Sequence, residues 1–153
     1  MFDRSWYGRV LVERVEGFAC VADWRRAYDE INQFEAQLAA DGTTIVKLFL
    51  HVSSQVQDER LKARLDHPWK RWKVNIEDFR NREQRATYLA AMEEMFDKTH
   101  TAAAPWFIIN GNKKKPARIA VLQAVYDRLA QVTSSTPPEP SGEVMQLARS
   151  VFG

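Results

Sequence analysis

Cysteine is nearly absent from these 153 residues: Cys20 is the single one, so neither an intramolecular disulfide nor a cysteine-based zinc site can form. Histidine is sparse as well. His51, His67 and His100 stand apart with no HExxH spacing, and no GxSxG elbow occurs. Metal hydrolysis and acyl transfer therefore lack their motifs. No apolar run approaches the roughly 18 residues that a membrane span requires. The N-terminal MFDRSWYGR has no apolar core and does not read as a secretory signal. A reducing, cytoplasmic setting without a membrane segment is the expectation. What the chain does have is apolar material, 45% of its residues, including 8 Phe, 5 Trp and 4 Tyr. That is enough for the core of one globular domain.

The net charge is only +2, but it is unevenly spread. Between Arg60 and Arg85, nine Lys or Arg face four acids (Asp66, Glu77, Asp78, Glu83). Such a run is either a solvated helical face or a field directed at a polyanion such as nucleic acid, a nucleotide or a phosphate polymer.

Periodicity gives α/β order. Trp24, Ala27, Tyr28, Ile31, Phe34 and Leu38 recur at helical spacing, which predicts a helix over 23–40, capped by Asp23 and stopped by Gly42. TIVKLFLHV, 44–52, is apolar and β-branched apart from Lys47 and predicts a buried strand of a parallel sheet. Ser53 or Ser54 then caps a helix to about Leu65, broken by His67-Pro68. A helix over about 75–98 follows, then a second strand in PWFIING, 105–111. A last helix, about 117–132, carries Val121, Leu122, Val125 and Leu129 on one face. The stretch 133–142, TSSTPPEPSG, reads as a linker, and 143–153 as a short C-terminal helix. Met1 to Arg4 resembles the end of a further strand. Two strands cannot cover this many helices, so residues 1–132 read as the C-terminal part of a larger, N-terminally truncated α/β domain.

Four segments could carry chemistry. Asp3, at an apparent strand end, either orients Mg²⁺ or caps a helix, while Arg4 either holds phosphate or pairs with Asp3. In RVLVERVE, Arg9, Glu13 and Glu16 fall on one helical face, either in a mobile lid over about 9–22 or in a salt-bridged surface helix. Lys70, Lys73, Asp78 and Arg82 run along a basic segment with Trp69 and Trp72 interleaved; the indoles either stack on a ligand or anchor the segment to the core. NGNKKKPAR, 110–118, follows a strand and opens a helix, where a parallel sheet forms its ligand crevice.

Taken together, FDRSWYGR, VERVEGF, DWRRAYDEINQFEAQL, KLFLHVSSQVQDERLKAR, PWKRWKVNIEDFRNR and TAAAPWFIINGNKKKPAR resemble the polyphosphate kinase family 2 enzymes in order and spacing, over about residues 2–132. The resemblance implies a P-loop kinase-like, three-layer fold with a parallel sheet. It also implies Mg²⁺-dependent phosphoryl transfer from polyphosphate to AMP or ADP. FDRSWYGR is similar to that family's Walker B motif, so Asp3 would hold Mg²⁺ and Arg4 would contact phosphate. Arg9 and Glu13 would belong to the lid and nucleotide pocket, and Lys70, Lys73 and Arg82 to a polyphosphate channel. Gly8 is similar to the two-domain members, which favour AMP. The family's Walker A loop has no counterpart, because the six glycines never form GxxxxGK[ST]. The residues alone are therefore expected to be inactive and to self-associate. An ATP-dependent nucleoside monophosphate kinase and a non-catalytic polyanion-binding fragment are the rival readings. Nucleic acid is not an expected partner, and a homo-oligomer is left open.

Overall fold

The computed structural model describes residues 1–3, 5–134 and 136–153. A 3-10 turn, Trp6–Arg9, leads into the one-turn helix α1, Val12–Val15, and the long helix α2, Val21–Ala40. Strand β1, Lys47–His51, is followed by α3, Ser54–Asp66, a 3-10 turn, Arg71–Lys73, and helices α4, Ile76–Glu83, and α5, Arg85–Thr99. Strand β2, Trp106–Asn110, then α6, Lys114–Ala130, and α7, Gly142–Phe152, complete the order. Among the described residues the sheet has two strands, paired in parallel from Lys47 opposite Trp106 to His51 opposite Asn110. The expected α/β class with a parallel sheet is what forms.

The core lies where the Trp6–Arg9 turn, α2, α5 and one sheet face meet. Tyr7, Val10, Ala27, Tyr28, Ile31 and Met95 are buried there, and Phe49, Phe96 and Trp106 pack against them. Rings meet edge to face, with Tyr7–Trp106 centroids 4.7 Å apart and Phe49–Phe96 centroids 5.1 Å apart, the arrangement that aromatic quadrupoles prefer.

Several boundaries differ from the periodicity reading. Helix α2 starts at Val21, so Asp23 sits in its first turn rather than at its cap. There it accepts from Cys20 Sγ at 3.1 Å and favours the positive helix end. Strand β1 is shorter than 44–52 because a strand extends only as far as its partner, and β2 starts at Trp106. Met1–Asp3 form no strand, having no strand to pair with among the described residues. The helix expected over 75–98 is two helices that break at Gln84, whose N–H bonds back to the Arg80 carbonyl at 2.9 Å. Helix α6 opens three residues early, since Pro116 lies in its first turn, where the missing N–H costs nothing.

Two packing expectations also change. Ala117 and Ala124 are the buried residues of α6, whereas Leu122 and Leu129 are exposed. Trp69 and Trp72 do not anchor their segment to the core: they are 82% and 76% exposed.

Candidate active site

The Trp6–Arg9 turn is short and its N-cap, Ser5, makes no side-chain capping bond. Its position comes from what lies beneath it. Trp6 Nε1 and Tyr7 OH both donate to Glu35 Oε1, at 3.1 and 2.8 Å. Lys47 Nζ donates to Glu35 Oε2 at 2.8 Å, to Tyr7 OH at 2.9 Å and to the Thr99 carbonyl at 2.7 Å. Burial pushes the Tyr7 phenol far above its ordinary pKa, and its hydrogen bond to Glu35 adds to this. Burial also lowers Lys47, an effect that Glu35 partly offsets. These groups were missed by motif reading, although two signals were available. Lys47 interrupts an apolar strand, and Glu35 follows Ile31 by four residues on the inward face of α2.

Above this base, Arg9 Nε and Glu13 Oε2 are 3.0 Å apart and half exposed. They line an open cavity of about 350 Å³ with Ser5, Trp6, Glu30 and Phe34. Asp3 is exposed at the approach to the same turn. Arg4 lies outside the described residues. The expected third member of the Arg9–Glu13 face, Glu16, turns elsewhere because α1 is a single turn ending at Gly17, φ +73°. Glu16 accepts from Tyr88 OH at 3.2 Å and pairs with Arg80 at 3.5 Å. Burial and the Glu16 charge push Tyr88 up to about 12. Arg14 completes the attachment of α1: it reaches Glu94 at 2.6 Å and Tyr28 OH at 2.8 Å, and stacks over Trp24 at 4.1 Å.

A second open cavity, about 360 Å³, lies at the C-terminal end of β1 and is bordered by His51, Gln57, Arg60, Arg64, Asp78 and Arg85. The two strand exits are tied together here. Gly111 N–H donates to the His51 carbonyl at 2.6 Å, and Ser53 N–H to Asn112 Oδ1 at 2.9 Å. A Cβ at Gly111 would stand 3.0 Å from the His51 carbonyl oxygen, which is why glycine occupies this turn. Arg60 donates to the Gly111 and Asn112 carbonyls, at 2.8 and 3.0 Å, and Arg85 to the Val52 carbonyl at 2.6 Å. Both guanidiniums thus hold loops, while Arg64 is half exposed and 3.7 Å from Asp78.

The remaining expected residues fall into two kinds. Lys70 and Lys73 are exposed, with Lys73 Nζ 5.2 Å from the Trp72 ring. Arg82 is engaged: it clasps Asp58 through two bonds, at 2.6 and 2.9 Å, and holds that carboxyl below its ordinary range. The Glu16–Arg80 contact links the N-terminal segment to the basic segment.

Two parallel strands, with helices around them and cationic side chains bordering the turns at their C-terminal ends, define an α/β fold. The family model described as polyphosphate kinase 2 matches residues 1–137, and the chain belongs to that family. It is 50% identical over 129 residues to a Pseudomonas aeruginosa protein named polyphosphate:AMP phosphotransferase, covering 84% of this chain and 26% of that one. It is 38% identical over 144 residues to an AMP/ADP-polyphosphate phosphotransferase of Meiothermus ruber, covering 94% of this chain and 54% of that one. The crystal structure of polyphosphate kinase 2 from Arthrobacter aurescens TC1 superposes with a TM-score of 0.88 at 41% identity, over 99% of this chain and 54% of that chain. The chain thus spans from about a quarter to half the length of these relatives.

Proposed function

We propose that the protein transfers a phosphoryl group from inorganic polyphosphate to a nucleoside mono- or diphosphate, with AMP favoured, in the cytoplasm. What carries this reading is the half-identity over 129 residues to a protein named polyphosphate:AMP phosphotransferase, beside a family match over residues 1–137 that includes Asp3, Arg9 and Glu13. In the reaction, the terminal P–O–P bridge of the donor breaks as an acceptor phosphate oxygen bonds to the departing phosphorus in line. Residues 1–132 form the catalytic part, with 9–22 as its lid, 133–142 as a linker and 143–153 as a terminal helix.

Asp3 is the metal-orienting carboxylate and Arg4 a phosphate contact. Arg9 and Glu13 serve the acceptor nucleotide, with Arg9 neutralising charge on phosphate oxygens and Glu13 holding its guanidinium in place. Lys70, Lys73 and Arg82 belong to the polyphosphate path. Among the described residues no three His, Cys, Asp or Glu converge on a common point. Asp3 is a single exposed carboxylate, and Mg²⁺ commonly takes one or two carboxylates and completes its shell with water and substrate phosphates. Asp3 would hold the ion, which would supply Lewis-acid stabilisation of negative charge on phosphate.

The test is ADP formation from AMP by the intact protein, whatever it carries beyond these residues, with polyphosphate or ATP as the sole donor. ADP made with polyphosphate supports the reading. ADP made only with ATP replaces it with a nucleoside monophosphate kinase.

A further inference from the structure

Glu35 and Lys47 are 1% and 6% exposed, and neither borders either cavity. They stand away from both open cavities, and every polar atom of the pair is occupied. Lys47 uses its three donors on Glu35, Tyr7 and the Thr99 carbonyl, and Glu35 divides its two oxygens between the Trp6–Tyr7 donors and Lys47. Stability alone is a weak reason for such a pair. Well-packed apolar residues of similar volume commonly serve as well or better, because two ions need not be desolvated. What an apolar pair cannot do is accept hydrogen bonds from an indole and a phenol on adjacent residues.

Those two donors hold the Trp6–Arg9 turn from below. The turn has no side-chain cap, and Gly8 at its centre adds no side chain to the packing; apart from these bonds it rests on ring contacts of Tyr7 with Trp106 and of Trp6 with Phe34. Val10, fully buried, fixes its far end. Arg9 is exposed at the end of the turn, and Asp3, also exposed, precedes it in the chain. The carboxylate of Glu35 is therefore the polar group that orients the Trp6 and Tyr7 side chains, and through them ties the turn to the core.

We propose that Glu35, oriented by Lys47, is a positioning residue for phosphoryl transfer, acting through Trp6 and Tyr7 on the segment that carries Asp3 and Arg9. This rests on the function proposed above. Lys47 saturates the second carboxylate oxygen, so the first stays aimed at the turn, and the Thr99 carbonyl in turn fixes the ammonium.

The test compares two double variants of the intact protein. Glu35→Leu with Lys47→Met removes both charges and the acceptor. Glu35→Gln with Lys47→Met removes both charges but keeps an oxygen for Trp6 and Tyr7. Thermal melting, amide hydrogen exchange over residues 6–11, and kcat and KM for AMP phosphorylation are read on each. The Leu/Met protein is expected to melt near the wild type, yet to exchange at least tenfold faster in that turn and to lose at least tenfold in kcat. The Gln/Met protein is expected to recover most of both. Equal kcat in the two doubles, or wild-type exchange and kcat in the Leu/Met protein, overturns the proposal. Should the Leu/Met protein not fold, Trp6→Phe replaces it: faster exchange with lower kcat supports the proposal, and no change in either sinks it. A wild type that makes no ADP refutes the proposed function instead, and the exchange comparison still decides whether Glu35 sets the turn.

Discussion

Asp3 and Glu94 show how differently two exposed or half-exposed carboxylates can matter. Asp3 stands at the approach to the Trp6–Arg9 turn. Asp3→Asn in the intact protein is expected to leave melting unchanged and to lower kcat about a hundredfold, roughly 3 kcal/mol of transition-state stabilisation. Steady-state kinetics beside a melting curve check this, and turnover near the wild type removes Asp3 from the mechanism. Glu94 is structural. Lys98 and Arg14 donate to it and hold it below its ordinary value of 4.5. A carboxyl with a lowered folded pKa stabilises the fold above its unfolded value, and that contribution fades as pH falls through the folded one. Glu94→Gln is thus expected to lose about 1 kcal/mol at pH 7. The deficit shrinks as pH drops below 4.5, as urea titrations at neutral and acid pH would show. A deficit constant with pH contradicts that assignment. The Arg9–Glu13 pair was legible because its spacing is local. Glu35 was not, because its partners Trp6, Tyr7 and Lys47 come from distant segments that only the fold assembles.

Helix ends were legible where a polar cap marks them and illegible where packing decides. Ser53 caps α3 through Val56 N–H, as its place before the apolar pattern implied. Asn75 and Asp78 form a reciprocal capping box at 3.0 and 3.1 Å, so the start of α4 was marked as well. The break at Gln84 has no Gly or Pro to announce it and passed unnoticed in the periodicity. Asn75→Ala is expected to cost about 1 kcal/mol of stability. A melting or urea midpoint reads this directly, and no loss would mean that α4 holds its place without the box. The basic segment before α4 divides by engagement. Lys70 and Lys73 are exposed, whereas Arg82 is committed to Asp58 and joins α4 to α3. Removing both lysines is expected to weaken polyphosphate binding severalfold more than AMP binding. The polyphosphate affinity that remains should depend less steeply on salt than in the wild type, because fewer counterion-exchanging charges are left. Calorimetric titration at two salt concentrations distinguishes this from a solvated surface, which would change neither ligand.

The assembled chain leaves much apolar surface uncovered. Phe2, Leu50, Ile108, Ile119, Leu122 and Tyr126 are each more than half exposed, and the described sheet has two strands with open edges. Two strands and the helices around them were readable from alternating periodicities, and so was the shortage of sheet to cover them. Which α6 face turns inward was not, since its two buried residues are alanines while Leu122 and Leu129 are exposed. Unpaired strand edges beside apolar surface invite association. These 153 residues expressed alone are therefore expected to elute from size-exclusion chromatography above monomer size; a monodisperse, cooperatively melting monomer contradicts this. The central claim concerns donor and acceptor, and phosphorus NMR of the intact protein with AMP, Mg²⁺ and polyphosphate addresses it without coupling enzymes. The account predicts growth of the ADP resonances with matching loss of polyphosphate, and no such growth when ATP is the only donor. AMP left unphosphorylated beside intact polyphosphate, with ADP appearing only from ATP, would contradict it.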